Sequence, residues 1–181
     1  MARLPIIDPD TATGKAKDLL DAVQAKLKIT PNMTKVMANS PAVLQAYLGF
    51  SGALAEGTLD VKLREQIALA VGQSNECQYC VSAHTAIGKM VGLPQSELVA
   101  SRGGHSTSAK SEAALSFSKK VIADGGKASA AEVEALRTAG FSDGEIAEIV
   151  AHIALNVFTN YFNNITEVDV DFPKVDLLQV A

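Results

Sequence analysis

The sequence predicts an all-α protein, because three features of the chain favour helices over strands. Apolar residues recur at helical spacing over long segments, in which alanine and leucine are abundant. Glycine and proline cluster at the breaks between those segments instead of recurring at short regular intervals, as they do in strand-rich chains. Several segments also begin at a residue suited to a helix N-terminus, among them Asp60, Ser129 and Ser142. We therefore expect a single helical domain over residues 1–181.

The predicted helices form a series of short elements followed by one long final helix. They cover residues 10–28 and 43–54, a segment opened by Asp60, a segment ending near residue 91, residues 94–100, 108–123 and 129–136, and a last segment capped by Ser142. The final helix carries a wide apolar stripe, which we expect in the core or at a subunit interface. Its members are Ile146, Ile149, Val150, Ile153, Val157, Phe158, Tyr161, Phe162 and Ile165.

The composition is that of a soluble globular protein, with 48% apolar and 20% charged residues. The 16 basic and 20 acidic residues give a net charge of −4, which favours neither nucleic acid nor an anionic membrane as a partner. The N-terminal residues lack the apolar stretch of a signal peptide, and no apolar run approaches the ~20 residues that span a bilayer. A cytoplasmic location is therefore expected, where cysteines are more often catalytic or metal-binding than structural.

The chemistry is concentrated around the two cysteines of the chain, Cys77 and Cys80, with His84 four residues after the second. On a helix these spacings place the three side chains on one face, with neighbouring Cβ atoms about 5–6 Å apart. Two thiols that close can form a disulfide, and an imidazole one turn away can accept the proton whose loss makes a thiol nucleophilic. Asn75 and Glu76 would place the cysteines in the first helical turns, where the helix dipole also favours a thiolate. The pattern predicts thiol redox chemistry.

Glu65 precedes Cys77 by twelve residues and could orient and polarise His84. On one straight helix Glu65 and Cys77 would lie about 18 Å apart, so the chain must turn between them. Residues 72–75, Gly-Gln-Ser-Asn, have the composition of a turn. Taken alone, Glu65 is more typical of a solvated helix residue paired with a neighbouring basic side chain.

A zinc site is an alternative, with Cys77, Cys80, His84 and Glu65 as its four ligands. Structural zinc usually draws its ligand pairs from separate segments, whereas three of these ligands would come from two turns of one helix. We therefore favour redox chemistry and expect neither a metal nor an organic cofactor. A thioredoxin-type site is not favoured either, because it needs a preceding strand.

Three further side chains have less specific interpretations. Tyr79 could line a substrate entrance, but we favour a packing role. His105 lies in a Gly/Ser-rich connector and is interpreted as a solvated loop residue. His152 follows Glu148 by four residues on the last helix, and we favour a buried histidine hydrogen-bonded to a neighbour over a catalytic one.

An internal duplication is indicated by Glu148, Asn160 and Asn163, whose offsets of twelve and fifteen residues equal those from the glutamate of the motif to its two cysteines. The alternative is that two long amphipathic helices align easily without common origin. We favour duplication, with a redox half at about residues 40–100 and a sulfur-free related half at about residues 108–170. The redox site would then lie in one half only.

The pattern Glu65-x11-Cys77-x2-Cys80-x3-His84 resembles that of the AhpD-like alkylhydroperoxidases of the carboxymuconolactone decarboxylase superfamily, over about residues 40–170. The resemblance implies an all-helical fold, an obligate homotrimer or a hexamer built from trimers, and peroxide reduction through the CxxC pair. It also implies that Cys80 is the peroxidatic cysteine, that Cys77 is the resolving cysteine, and that Glu65 and His84 relay protons.

One position departs from the best-known members, which carry a histidine immediately before the second cysteine, where this chain has Tyr79. In this respect the chain is more similar to the peroxidase-related branch of the family. The resemblance leaves the physiological reductant and the details of the proton relay undetermined.

The predicted function is a thiol-dependent peroxidase of antioxidant defence, with an alkyl or hydrogen peroxide as substrate. Its expected partner is an external dithiol reductant, such as a thioredoxin-like or lipoyl protein. Two other functions stay open. One is a carboxymuconolactone decarboxylase-like enzyme, although such relatives generally lack the paired cysteines. The other is a non-catalytic redox-sensing module.

Overall fold

A computed structural model describes residues 2–179, and within them the chain forms nine α-helices and no strand, which confirms the predicted all-α class. The helices are α1 (Gly14–Leu27), α2 (Asn32–Met37), α3 (Pro41–Ala55), α4 (Val61–Ser74), α5 (Gln78–Met90), α6 (Gln95–Gly103), α7 (Ala109–Ala123), α8 (Ala130–Thr138) and α9 (Asp143–Thr166). A segment without helix or strand, residues 167–179, follows α9. None of the helices in the described part is long and apolar enough to cross a bilayer.

Three of the predicted helix starts are fixed by local capping. Ser129 and Ser142 each accept a hydrogen bond from the backbone N–H three residues later, and Glu132 and Glu145 accept one from the N–H of the capping serine. The Asp60 side chain accepts from the first N–H groups of α4. Because these contacts satisfy backbone groups that have no partner inside the helix, the boundaries follow from short sequence motifs.

The centre of the fold is α4, which packs against α5, α6, α7 and α9. Its apolar residues at helical spacing are buried: Leu63, Ile67, Ala70 and Val71. These residues belong to a core cluster shared with α7, α8 and α9. A second cluster joins α1, α2 and α3 to the start of α5 and includes both cysteines. The redox motif therefore lies inside packed structure.

The chain reverses between α4 and α5 later than the composition predicts. Residues 72–74 are still helical, and the turn is made by Asn75 and Glu76, the latter with a φ of 52°. Gly72 lies against α5, where a Cβ built on it would be in van der Waals contact with the Cβ of Cys80 at 3.4 Å.

The last helix buries part of its predicted apolar stripe in the single chain. Ile146, Ile149 and Ile153 are buried, but other members of the predicted stripe are exposed in the single chain. The exposed members are Val150, Phe158, Tyr161 and Ile165. Several buried positions in the second half of α9 are polar, so the apolar stripe identifies the core face only for its first turns.

The segment after α9 runs back over the redox motif. Val175 donates its N–H to the Ser82 hydroxyl on α5 at 3.1 Å, and Leu178 donates its N–H to Gln73 Oε1 on α4 at 3.0 Å. These contacts fasten the C-terminal segment across the two helices that carry the motif.

Candidate active site at the Cys77–Cys80 disulfide

The two cysteines lie at the start of α5 and are joined by a disulfide, with their Cα atoms 5.3 Å apart. Cys77 is the N-cap residue, and its Sγ accepts a hydrogen bond from the N–H of Cys80 at 3.2 Å. Cys77 therefore lies just before the first helical residue, whereas the sequence predicts it inside the first turns of the helix. The turn at Glu76 still places both sulfurs at the positive end of the helix dipole, which favours a thiolate when the bond is reduced.

The two sulfurs differ in their access to a cavity of about 400 Å³. Cys80 lines this cavity, whereas Cys77 is absent from its wall and is completely buried. The wall is mainly apolar, with contributions from α3, α4, α5, α9 and the C-terminal segment. A small ligand in the cavity can therefore reach Cys80 only.

Glu65 and His84 form the predicted pair across the α4–α5 turn, with His84 Nδ1 2.8 Å from Glu65 Oε2. Both side chains line the cavity and are partly buried, 14% of Glu65 and 24% of His84 being exposed. Glu65 is thus a histidine partner, not a freely solvated residue. Because Nδ1 is held by the carboxylate, Nε2 is the nitrogen left to exchange a proton.

Tyr79 packs and forms hydrogen bonds, as the favoured interpretation predicted, and it also contributes to the cavity wall. Its hydroxyl donates to Asp171 Oδ1 at 2.9 Å and accepts from the N–H of Met33 at 3.3 Å. Its ring meets Phe172 edge to face. Burial, as the main cause, raises the pKa of Tyr79 above its ordinary value, so the phenol stays protonated at neutral pH.

A second tyrosine, Tyr47 on α3, lines the same cavity and was missed by the sequence analysis. Burial raises its pKa, and the nearby charge of Glu65 raises it further. No motif links Tyr47 to the redox residues, so only the packing of α3 reveals it.

His152 on α9 also lines the cavity, and 6% of the residue is exposed. Its Nε2 has no hydrogen-bond partner among the described residues, so the expected bond to a neighbour is wrong for this nitrogen. Burial, together with the charge of Arg64, lowers the pKa of His152, which keeps the ring neutral at pH 7. Its position beside the motif shows that α9 contributes to the cavity.

The residues of the proposed second half do not reproduce the first half's chemistry. Glu148 accepts hydrogen bonds from the backbone of Thr58 and Leu59, at 2.9 Å each, and so holds the loop before α4. Asn163 instead donates its amide to Cys80 Sγ at 3.3 Å. The surroundings of the redox pair therefore draw on both halves, and the duplication itself stays a prediction.

Within residues 2–179, no group of three or more His, Cys, Asp or Glu side chains is arranged to hold a metal ion. His105 is 72% exposed and pairs with Glu112 at 3.0 Å, in accord with a solvated loop residue. The structure thus brings together Cys77, Cys80, His84 and Glu65, whose catalytic roles stay predictions.

Comparison with known proteins finds a family match that covers the residues of this site. Residues 41–119 match the model of the carboxymuconolactone decarboxylase family. A curated relative, an uncharacterized protein of Haemophilus influenzae, is 53% identical over 45 residues, which cover 24% of this chain and 40% of that protein. The match therefore spans less than half the length of the curated relative.

Solved structures match nearly the whole chain. An uncharacterized peroxidase-related protein with an alkylhydroperoxidase AhpD core, from Ralstonia eutropha JMP134, has a TM-score of 0.83 at 25% identity, covering 94% of this chain and 92% of that chain. An uncharacterized peroxidase-related protein from Silicibacter sp. TM1040 has a TM-score of 0.79 at 28% identity, covering 92% and 88%.

The debrominase Bmp8, solved with 2,3,4-tribromopyrrole, has a TM-score of 0.77 at 18% identity, covering 93% of this chain and 91% of that chain. At this identity the match shows a likeness of fold alone. The two peroxidase-related structures share the helical fold of this chain. Residues 41–119, which include the two cysteines, Glu65 and His84, therefore match the carboxymuconolactone decarboxylase family, and the fold is that of the AhpD-like peroxidase-related structures.

Proposed function

We propose that the protein is a thiol-dependent peroxidase that reduces an alkyl or hydrogen peroxide through a Cys77–Cys80 dithiol/disulfide cycle. The supporting observation is that one sulfur of a bonded pair lines a cavity whose wall also carries the Glu65–His84 pair. A peroxidase of this kind needs an accessible sulfur nucleophile, a second thiol within bonding distance and a proton donor for the leaving oxygen. The mainly apolar wall favours an alkyl hydroperoxide over hydrogen peroxide.

In the first proposed step, the thiolate of Cys80 attacks the terminal oxygen of the hydroperoxide. The O–O bond breaks, the sulfur keeps the hydroxyl group as a sulfenic acid, and the remaining alkoxide takes a proton from His84 and leaves as an alcohol. Hydrogen peroxide would release water instead. Glu65 holds the imidazole and stabilises its protonated form, in the manner of the third member of a nucleophile–base–orienter chain.

In the second proposed step, the thiol of Cys77 attacks the sulfenic sulfur, water leaves and the disulfide forms. An external dithiol then reduces the disulfide by exchange and is itself oxidised to a disulfide. Because Cys77 is completely buried and Cys80 lines the cavity, we expect the reductant to attack Cys80, with Cys77 as the leaving thiolate. A small dithiol, or a narrow arm of a protein, fits this access better than a flat protein surface.

Self-association is part of the proposal. Phe158, Tyr161 and Ile165 on α9 are 38%, 55% and 65% exposed in the single chain. Large apolar side chains grouped along one helix are typical of a contact between subunits. We propose that α9 contributes to a homotrimer or to a hexamer built from trimers, which light scattering after gel filtration would test; a monomer at micromolar concentration would contradict this.

The proposed activity is tested by following peroxide consumption with excess dithiothreitol. The wild-type protein should turn over many times, whereas Cys80→Ser and Cys77→Ser should not. Undiminished turnover by Cys80→Ser would refute the assignment. Thiol-independent loss of carbon dioxide from a carboxylated lactone would support a decarboxylase, and oxidation of one equivalent without turnover would support a redox sensor.

A further inference from the structure

The inner face of α9 presents a polar wall to the cavity. Its members are His152, Asn156, Thr159 and Asn163, spaced by four, three and four residues, which places them on one face of the helix. All four line the cavity, and each is at most 6% exposed. Buried polar groups cost free energy unless they are hydrogen-bonded, so each of these side chains needs a partner.

Two of the four side chains bond to their own helix. Asn156 donates its amide to the carbonyl of His152 at 2.8 Å, and Thr159 donates its hydroxyl to the carbonyl of Asn156 at 3.1 Å. Asn163 differs, because its amide nitrogen contacts two sulfur atoms of other elements. The Nδ2 atom lies 3.3 Å from Cys80 Sγ and 3.3 Å from Met33 Sδ.

The orientation of the Asn163 amide follows from the chemistry of those sulfurs. A disulfide sulfur and a thioether sulfur carry no hydrogen, so both can only accept, and the NH₂ end of the amide must face them. This orientation leaves the carbonyl oxygen of the amide, Oδ1, buried without a hydrogen-bond partner among the described residues. A buried amide that leaves its carbonyl unpaired in order to face sulfur is a feature that calls for a functional explanation.

We propose that Asn163 is a further catalytic residue, whose side-chain amide donates a hydrogen bond to the Cys80 sulfur and stabilises its thiolate. This inference deepens the proposed function, since it names the group that supports the attacking sulfur. Within residues 2–179, Cys77 Sγ receives a backbone N–H and Cys80 Sγ receives this amide. Reduction of the disulfide followed by loss of the thiol proton turns Cys80 Sγ from a weak neutral acceptor into an anion, to which the same N–H bonds more strongly.

The test measures the ionisation of Cys80 in a Cys77→Ser background, where Cys80 is the only thiol. The rate of alkylation by iodoacetamide is recorded against pH, with circular dichroism as a check of folding. Asn163→Leu keeps a similar volume without the donor, and Asn163→Ala removes the donor without overpacking the site. Asn160→Leu is the matched control, because Asn160 is also buried on α9 but accepts from Asn75, and its amide nitrogen has no hydrogen-bond partner among residues 2–179.

We expect both Asn163 variants to raise the apparent pKa of Cys80 by about one unit, equivalent to ~1.4 kcal/mol of lost thiolate stabilisation. The control should leave the pKa unchanged. An unchanged pKa in a folded Asn163 variant, or an equal rise in Asn160→Leu, would overturn the assignment. The readout does not involve peroxide, so a shifted pKa in a protein that consumes no peroxide would reject the peroxidase and keep the role of Asn163.

Discussion

Replacing Glu65 with glutamine should lower kcat/KM for peroxide reduction about tenfold at neutral pH. The substitution keeps the size of the side chain and an oxygen that can accept from His84 Nδ1, which lies 2.8 Å away, but removes the negative charge. A hydrogen bond to a charged group contributes about 1.5–3 kcal/mol and a neutral one about 0.5–1.5 kcal/mol. The difference, about 1–1.5 kcal/mol, corresponds to about tenfold in rate. Solvent screens this charge–charge interaction little, because only 14% of the Glu65 side chain is exposed.

The assay is peroxide consumption under limiting peroxide with saturating dithiothreitol, so that the measured constant is kcat/KM of the reduced protein. Glu112→Gln is the matched control, since Glu112 pairs with His105 at 3.0 Å on the surface, away from the cavity lining. That variant should keep wild-type activity. A Glu65→Gln protein within twofold of wild type, or an equal loss in both variants, would refute the reasoning about the relay.

Two further predictions concern stability. Tyr79→Phe should lower the free energy of unfolding by about 1–2 kcal/mol, because Asp171 loses a hydrogen-bond donor. The variant should leave the pH profile of activity unchanged. An altered pH profile in a protein of wild-type stability would contradict the packing role. Glu148→Gln should cost about 1–2 kcal/mol in urea unfolding at pH 7, because bonds from Thr58 and Leu59 to a charged acceptor weaken. The bond from the Thr58 backbone holds the pKa of Glu148 below its ordinary value, so this contribution is present above the unfolded-state pKa and is lost as pH falls through the folded-state pKa. The difference between wild type and Glu148→Gln should therefore shrink towards acidic pH, and a difference that grows there would contradict the assignment.

The parts of the fold that follow local rules were predictable from the sequence. Capping at Ser129 and Ser142 fixes two helix starts, and the stripe on α4 identifies core residues by spacing alone. The contact between Glu65 and His84 was expected from the resemblance to the family motif, and the helical offset added that the chain must turn between Glu65 and the cysteines.

The parts that depend on tertiary packing were not predictable. Gly72 belongs to a stretch with the composition of a turn, but it is still helical, and the turn is made by Asn75 and Glu76. Tyr47 and His152 reach the cavity from helices distant in sequence, and no spacing rule connects them to the cysteines. The sequence relates Asn163 to Cys80 only through their equal offsets from Glu148 and Glu65. The contact between the Asn163 amide and the Cys80 sulfur comes from the way α9 packs against α5.

The most direct test of the account is a single-turnover experiment on reduced protein, analysed by mass spectrometry of the peptide that contains both cysteine positions. One equivalent of an alkyl hydroperoxide should convert the wild-type peptide to an internal disulfide, with loss of two hydrogen atoms. In Cys77→Ser it should add one oxygen atom to Cys80, as a sulfenic acid that dimedone captures. If Cys80 stays unmodified, or if Cys80→Ser acquires the oxygen at Cys77 at the wild-type rate, the proposal that Cys80 attacks and Cys77 resolves is contradicted.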